Sequence, residues 1–309
     1  MKILFMGTPD FAATVLEKIL QSGHEIIGVV TQPDKQKGRG REVSQSPVKG
    51  LALRHGLPVY QPVKVREEET LSMIRELAPD VIVVAAFGQI LPKALLGIPP
   101  KGCINVHASL LPKYRGAAPI QYSILDGEEE TGITIMHMDV GIDTGDIILQ
   151  SKIAISSEET GGSLFDKMAI LGGELLVEAL EQIQNNTARR IKQDEEHATY
   201  VKMITKEMGK IDFSRPAVQI ERLIRGLNPW PTAYTLLEGK SLKLWKAEVK
   251  PGESGAGVGE VIAINKDSIE VMTGNGILVI KELQLEGKKR MAADAFLRGF
   301  PIQTGIKLG

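Results

Sequence analysis

One cysteine, Cys103, stands in 309 residues, which excludes an intramolecular disulfide and any cysteine-rich metal site. The five histidines form no cluster with Cys or Glu at metal-ligand spacing, and no metal is expected. No apolar run approaches the roughly 18 residues that a membrane span needs. The first residues, Met1–Gly7, read as a short strand and a turn rather than a signal peptide, so a cytoplasmic setting is the expectation. An excess of either charge is also missing: the net charge of −1 argues against a protein coated in positive charge. The first turn, Gly7-Thr8-Pro9-Asp10, lacks the later glycines of Gly-x-Gly-x-x-Gly and any Gly-Lys-Ser/Thr, so dinucleotide and P-loop readings fail there. There is no internal repeat and no low-complexity tract.

What is present is ordinary in bulk and uneven in detail. A hydrophobic fraction of 43% and a charged fraction of 24% suit a soluble globular chain of one large or two medium domains. From Gly209 to the end there are 15 Lys and Arg against 11 Asp and Glu, a balance of +4. The remainder carries 22 against 27, or −5. A modestly basic tail on an acidic body permits contact with a nucleic acid without requiring it.

Along the first half, apolar runs alternate with helical patterns. Lys2–Met6 reads as a strand, Phe11–Gln21 as an amphipathic helix stopped by Gly23, and Glu25–Val30 as a second strand. Ser46-Pro47 has the form of an N-cap and first helical residue, opening a helix that ends near Gly56. Asp80–Ala85 is a β-branched run of the kind buried in parallel sheets. Thr131–Met138 and Ile147–Ile155 read as strands, followed by a long helix from about Ser163 to Gln184. This repetition indicates an α/β, Rossmann-like doubly wound sheet, mostly parallel, over residues 1–188. Residues 189–208, within a polar and weakly periodic stretch, read as a linker. Residues 209–309 open with a short helix, Ala217–Gly226, broken by Asn228-Pro229-Trp230-Pro231. Short strand-like runs with turns at Glu238-Gly239, Pro251–Gly259 and Gly274-Asn275-Gly276 follow, a pattern suited to a small OB-like β-barrel.

The chemistry concentrates in Asn105-Val106-His107-Ala108-Ser109-Leu110-Leu111-Pro112. Gly102–Val106 reads as a strand, and on an extended backbone residues i and i+2 project to one face. Asn105 and His107 can therefore converge on one substrate atom, at the carboxyl end of a parallel strand where open α/β sheets bind ligands. Either residue alone would more often be structural. Downstream, Asp139-Val140-Gly141-Ile142-Asp143-Thr144-Gly145-Asp146 offers three carboxylates in a loop that its glycines let approach a ligand closely. By spacing alone that loop is a hairpin turn decorated with Asp. A carboxamide, an imidazole and a carboxylate together supply oxyanion donors and a proton shuttle, the needs of acyl or formyl transfer. Cys103 shares the Asn105 face by alternation, but a lone strand cysteine reads as a small buried hydrophobe and not as a nucleophile.

Asn105, His107 and Asp143, with Ser109-Leu110-Leu111-Pro112-Lys113-Tyr114-Arg115-Gly116, resemble the signature of the folate-dependent formyltransferases. From Met6-Gly7-Thr8-Pro9-Asp10-Phe11-Ala12 to the separate C-terminal domain, the whole chain is similar to the members of that family that act on methionyl-tRNA. The resemblance selects Asp143 over Asp139 and Asp146, and it implies Asn105, His107 and Asp143 as catalytic residues. It implies 10-formyltetrahydrofolate as the formyl-donor substrate. Ser109, Leu110, Leu111 and Pro112, with Arg115 and Gly116, would then form the folate wall. Phe87, Gly88, Ile90 and Leu91, with Asp139, Val140 and Gly141, would border the pterin. For the segment at Phe87 an ordinary strand-to-helix connection stands as the alternative.

The acceptor is set elsewhere. Pro33–Lys49 carries five basic and two acidic residues with interspersed glycines, a polar, flexible loop suited to a phosphate backbone or simply solvated. It resembles the insertion that contacts the tRNA acceptor stem, which implies Lys37, Arg39 and Arg41 as tRNA-binding residues and initiator methionyl-tRNA as the partner of a monomeric enzyme. A formyltransferase acting on a UDP-amino sugar is the alternative, since such enzymes carry a comparable second domain but generally lack this loop. A noncatalytic RNA-binding protein is disfavoured by the complete Asn105, His107 and Asp143 set.

Overall fold

The computed structural model describes residues 1–37, 42–253 and 255–309. In chain order its elements begin with β1 (Lys2–Gly7), α1 (Asp10–Gln21), β2 (Glu25–Val30), β3 (Lys35–Lys37), β4 (Glu42–Ser44) and α2 (Pro47–Arg54). There follow β5 (Val59–Tyr60), α3 (Glu68–Leu77), β6 (Val81–Ala85), α4 (Lys93–Leu96), β7 (Cys103–His107), β8 (Arg115–Gly116) and α5 (Pro119–Asp126). Next come β9 (Glu130–His137), β10 (Ile147–Ala154), α6 (Gly161–Gln184), β11 (Tyr200–Val201) and α7 (Ala217–Gly226). The chain ends with β12 (Ala233–Leu237), β13 (Lys240–Lys250), β14 (Val261–Ile264), β15 (Ile269–Met272), β16 (Ile277–Leu285), β17 (Met291–Ala292) and α8 (Ala293–Gly299).

Two compact units result. The first holds residues 1–119, 131–153 and 165–201, and the second holds 120–130, 154–164 and 202–309. The division differs from the expected 1–188, 189–208 and 209–309. Residues 120–130 and 154–164 join the second unit. The stretch read as linker is ordered through Val201, because β11 pairs with β8 in a parallel ladder.

The first unit is built on a seven-stranded sheet in the order β10-β9-β7-β6-β1-β2-β5. Pairs β1/β2, β1/β6, β2/β5 and β6/β7 are parallel, while β9 lies antiparallel to β7. The strand order reverses beside β1, which makes the carboxyl ends of β1, β6 and β7 the switch point where such sheets receive ligands. β6 is buried throughout and β1 is buried after Lys2, as expected for a sheet covered on both faces. One face packs Leu4, Met6, Val30, Ile82, Val84 and Cys103 against Leu71 and Ile74 of α3 and Leu95 of α4. α2 starts as the sequence implied: Ser46 Oγ accepts from the Lys49 N–H at 3.0 Å, and Pro47 occupies the first helical position.

The basic segment is more regular than its composition suggests. β3 and β4 pair as an antiparallel ribbon, Lys35 opposite Ser44 and Lys37 opposite Glu42. Its backbone hydrogen bonds replace the structureless loop that its polar residues imply. Arg39 and Arg41 lie outside the described residues.

The second unit contains an antiparallel sheet in the order β12-β13-β16-β15-β14, with β17 pairing β16. Ala217, Ile220 and Ile224 of α7 are buried on one stripe, and Ile220 and Ile224 pack with Leu242, Leu244, Leu278 and Ile280 of that sheet. The ladder runs from β12 to β14 without closing among the described residues, so it is an antiparallel sheet, of which the expected OB-like barrel is a more specific form. No described helix is long and apolar enough to cross a membrane.

Candidate active site

β7 brings the first two candidate residues to the switch point. Asn105 pairs with Val84 on β6 and with Met136 on β9, and His107, the last residue of β7, pairs with Thr134. Opposite them the Asp139–Asp146 loop delivers Asp143. Its Oδ1 lies 3.5 Å from Asn105 Nδ2, and its Oδ2 lies 3.6 Å from His107 Nδ1. Residues 38 positions apart in sequence thus meet in the arrangement that alternation on β7 requires.

The three aspartates of the loop separate by contact. Asp139 Oδ1 accepts from the Gly141 N–H at 2.9 Å and from Thr144 Oγ1 at 2.5 Å, so its carboxylate folds the loop. Asp146 accepts the His137 N–H through its main-chain carbonyl. Asp143 alone of the three is placed against Asn105 and His107. The glycines are needed for close approach rather than for left-handed backbone: a Cβ on Gly141 would strike Thr144, and one on Gly145 would strike the His137 carbonyl oxygen.

The residues after β7 fix both partners. His107, 6% exposed, places Nε2 2.9 Å from the Tyr114 carbonyl oxygen, which only a protonated nitrogen can satisfy. That leaves Nδ1 for Asp143 or a substrate. Two residues on, the Gly116 N–H donates to Asp143 Oδ2 at 2.8 Å. Gly116 sits at φ +112°, and a Cβ there would collide with the Val201 carbonyl. Tyr114 and Asp143 adopt positive φ despite their side chains, at +61° and +54°.

Ser109–Pro112 is shaped from behind. Thr134 Oγ1 donates to the Ser109 carbonyl at 2.6 Å and accepts from the Leu111 N–H at 3.1 Å. Gln150 Nε2 donates to the Leu111 carbonyl and to Thr134 Oγ1, both at 2.9 Å. Ser109 Oγ closes onto the Lys113 carbonyl at 2.6 Å. These contacts occupy the Ser109 carbonyl and both main-chain groups of Leu111 inside the protein. Sequence reasoning missed Thr134 and Gln150, whose roles have no local signature.

Of the other expected folate contacts, Phe87 and Leu91 are core residues, 2% and 5% exposed, in the apolar cluster with Leu4, Met6 and Val84. The Phe87 carbonyl accepts from Thr8 Oγ1 at 3.0 Å and from Gln32 Nε2 at 3.2 Å. Gly88 takes φ +84°. Ile90 and Val140 are highly exposed.

Arg115 departs most from expectation. Rather than lining a cavity, its guanidinium is fully buried, and residues of the supposed linker surround it. Glu195 takes Nη1 and Nη2 at 2.9 and 2.7 Å, Tyr200 Oη lies 2.9 Å from Nη1, and Gln193 Oε1 takes Nε and Nη2 at 3.0 and 2.8 Å. The Glu195 carboxylate beside Arg115 holds the guanidinium protonated more firmly than usual, against the opposing effect of burial. Cys103 is buried in the core, and burial pushes its thiol up to about 12, which removes the thiolate that nucleophilic attack requires.

Residues 1–180 match the family model described as formyl transferase, and residues 203–301 match that of the formyl transferase C-terminal domain. The chain is 53% identical over 305 residues to the methionyl-tRNA formyltransferase of Agathobacter rectalis, covering 99% of this chain and 98% of that one. It is 51% identical over 309 residues to the methionyl-tRNA formyltransferase of Clostridioides difficile, covering both chains fully. Among solved structures, an N-formyltransferase from Helicobacter canadensis, in complex with folinic acid and dTDP-3-aminofucose, shares the fold. Its TM-score is 0.69 at 23% identity, covering 91% of this chain and 99% of that one.

Proposed function

The chain belongs to the methionyl-tRNA formyltransferases, and on that premise we propose that it moves the formyl group of 10-formyltetrahydrofolate onto the amino group of initiator methionyl-tRNA. The observation that carries the reading is the convergence of Asn105, His107 and Asp143 at the carboxyl end of β7.

The neutral amine attacks the formyl carbon. A carbon–nitrogen bond forms, and negative charge builds on the formyl oxygen. Asn105 Nδ2 and the Nδ1–H of His107 donate to that oxygen; one such donor typically contributes about 3 kcal/mol. His107 can offer only Nδ1, because Nε2 is engaged by Tyr114. The bond from the formyl carbon to N10 then breaks, and the proton lost by the amine passes to N10. Asp143 relays that proton and holds the charge on His107, a contribution of roughly 10²- to 10⁴-fold for a placed acid–base group. No covalent enzyme intermediate is needed, which agrees with the buried thiol of Cys103.

Ser109, Leu110, Leu111 and Pro112 form a wall for the folate, held rigid by Thr134 and Gln150. Gly88, Ile90, Asp139, Val140 and Gly141 border the pterin through backbone and exposed apolar surface. Phe87 and Leu91 support that border from the core. On the acceptor side, Lys37, Arg39 and Arg41 of the basic segment contact the tRNA backbone, and the net-basic segment 209–309 adds a second contact.

Transfer from 10-formyltetrahydrofolate is measured to initiator methionyl-tRNA, to glycinamide ribonucleotide and to a UDP-amino sugar. Transfer to the tRNA alone is expected. Transfer only to a small amine would refute the assignment of the acceptor and of the basic segment.

A further inference from the structure

Gln193 stands 50 residues from Asp143 in sequence, in a stretch with no strand or helix pattern, yet every polar atom of its side chain is committed near the site. Nε2 donates to the Asp143 carbonyl and to the Gly145 carbonyl, both at 2.8 Å. Oε1 accepts from Arg115 Nε and Nη2. A flipped amide would set its oxygen against two carbonyls and its nitrogen against a guanidinium, so this network fixes the orientation. Arg115 is itself immobilised by the bidentate Glu195 pair, by Tyr200 Oη and by main-chain pairing with Thr199.

The clamp acts where the backbone is strained. Asp143 holds φ +54° without being glycine, a conformation that persists only when its surroundings over-determine it. Its carboxylate is held by the Gly116 N–H, and its main chain by Gln193. Both restraints originate in consecutive residues, Arg115 and Gly116. From these contacts we infer that Gln193 is a positioning residue for catalysis: with Arg115 behind it, it sets the Asp143 carboxylate in its catalytic position. The inference rests on the reading of Asp143 as the catalytic carboxylate.

Gln193→Leu removes all of these hydrogen bonds at similar volume. Gln193→Glu keeps an acceptor for Arg115 but removes both donors to the loop. A catalytic group misplaced by about 1 Å loses roughly 10²-fold. Both variants are therefore expected to lose roughly 10- to 100-fold in kcat for formyl transfer to methionyl-tRNA, with KM for either substrate changing less than about threefold. Circular dichroism and folate binding establish that each is folded, and Asp143→Asn is assayed beside them. If Asp143→Asn retains activity, the reading of Asp143 fails. If Asp143→Asn is inactive while a folded Gln193 variant keeps kcat within about threefold of the parent, only the positioning role fails. A KM-only effect, or loss of fold in both variants, would assign Gln193 to stability or binding and equally overturn it.

Discussion

Replacing Asp143 by Asn keeps the shape of the side chain and removes its charge, so it tests electrostatics with little change in packing. The Gly116 N–H at 2.8 Å demands an acceptor, which turns the oxygen of the new carboxamide toward it. The nitrogen of that carboxamide then faces Asn105 Nδ2, donor against donor, where the native pair is donor and acceptor at 3.5 Å. On the other side, in the proposed transition state His107 donates from Nδ1 while Nε2 stays engaged by Tyr114, and the imidazolium so formed loses its counter-ion at 3.6 Å. A pair of unit charges about 4 Å apart in an effective dielectric near 20 interacts by about 4 kcal/mol. Concentrated in the transition state, a loss of that size corresponds to roughly 10³-fold in rate. Single-turnover formyl transfer to methionyl-tRNA is therefore expected to fall about that far, with folate affinity within about threefold of the parent. Activity within about tenfold of the parent would refute the assignment of Asp143.

Asn105→Ala removes the proposed oxyanion donor and is expected to lower kcat roughly 10²- to 10³-fold in the same assay, with folate binding nearly unchanged. His137 is half-buried at the end of β9; desolvation, reinforced by Arg190, lowers it to about 4. Its contribution to stability is complete above the unfolded value near 6.5 and is lost as pH falls toward 4, with a slope of up to about 1.4 kcal/mol per pH unit. Chemical denaturation across that window reads it, and a His137→Asn variant should lose that component. Cys103, raised to about 12 by burial, should resist alkylation at about pH 8 in the folded protein and react in denaturant, as mass spectrometry would record. Binding of tRNA should weaken steeply between about 50 and 200 mM salt, by roughly 10³-fold or more if about six phosphates are contacted; a flat dependence would exclude a contact through the basic segment.

Where local pattern dictates structure, the chain could be read directly. β2 and α7 occupy the residues that their periodicity marks, and the Ser46-Pro47 cap forms as its chemistry requires. The projection of Asn105 and His107 to one face followed from strand geometry alone. The basic segment misled because charge and glycine dominate its composition while main-chain pairing decides its form. Residues 189–201 misled for a related reason. Their contacts are hydrogen bonds that Gln193 donates, and that Glu195 and Thr199 accept, with partners some 50 to 85 positions away, and such bonds leave no periodicity. A signal did exist in Arg115: a cation enclosed by a motif that packs against a sheet must find a counter-charge, and Glu195 supplies it.

The distribution of strain explains why the site depends on so distant a segment. Tyr114, Gly116 and Asp143 all hold positive φ within one cluster of contacts, and two of them are not glycine. Isolated, such backbone would relax into more populated conformations. Here Tyr114 N–H is fixed by Thr199 Oγ1, Arg115 and Ala117 N–H by the Thr199 and Val201 carbonyls, and the Asp143 main chain by Gln193. The strained tripeptide in turn presents one carbonyl to His107 and one N–H to Asp143. A reaction that relies on donors placed before charge develops needs this kind of rigidity, because a donor free to reorient loses part of its advantage over water. β7 determines where Asn105 and His107 project, and the segment after α6 holds the main chain of the loop that brings Asp143 to them.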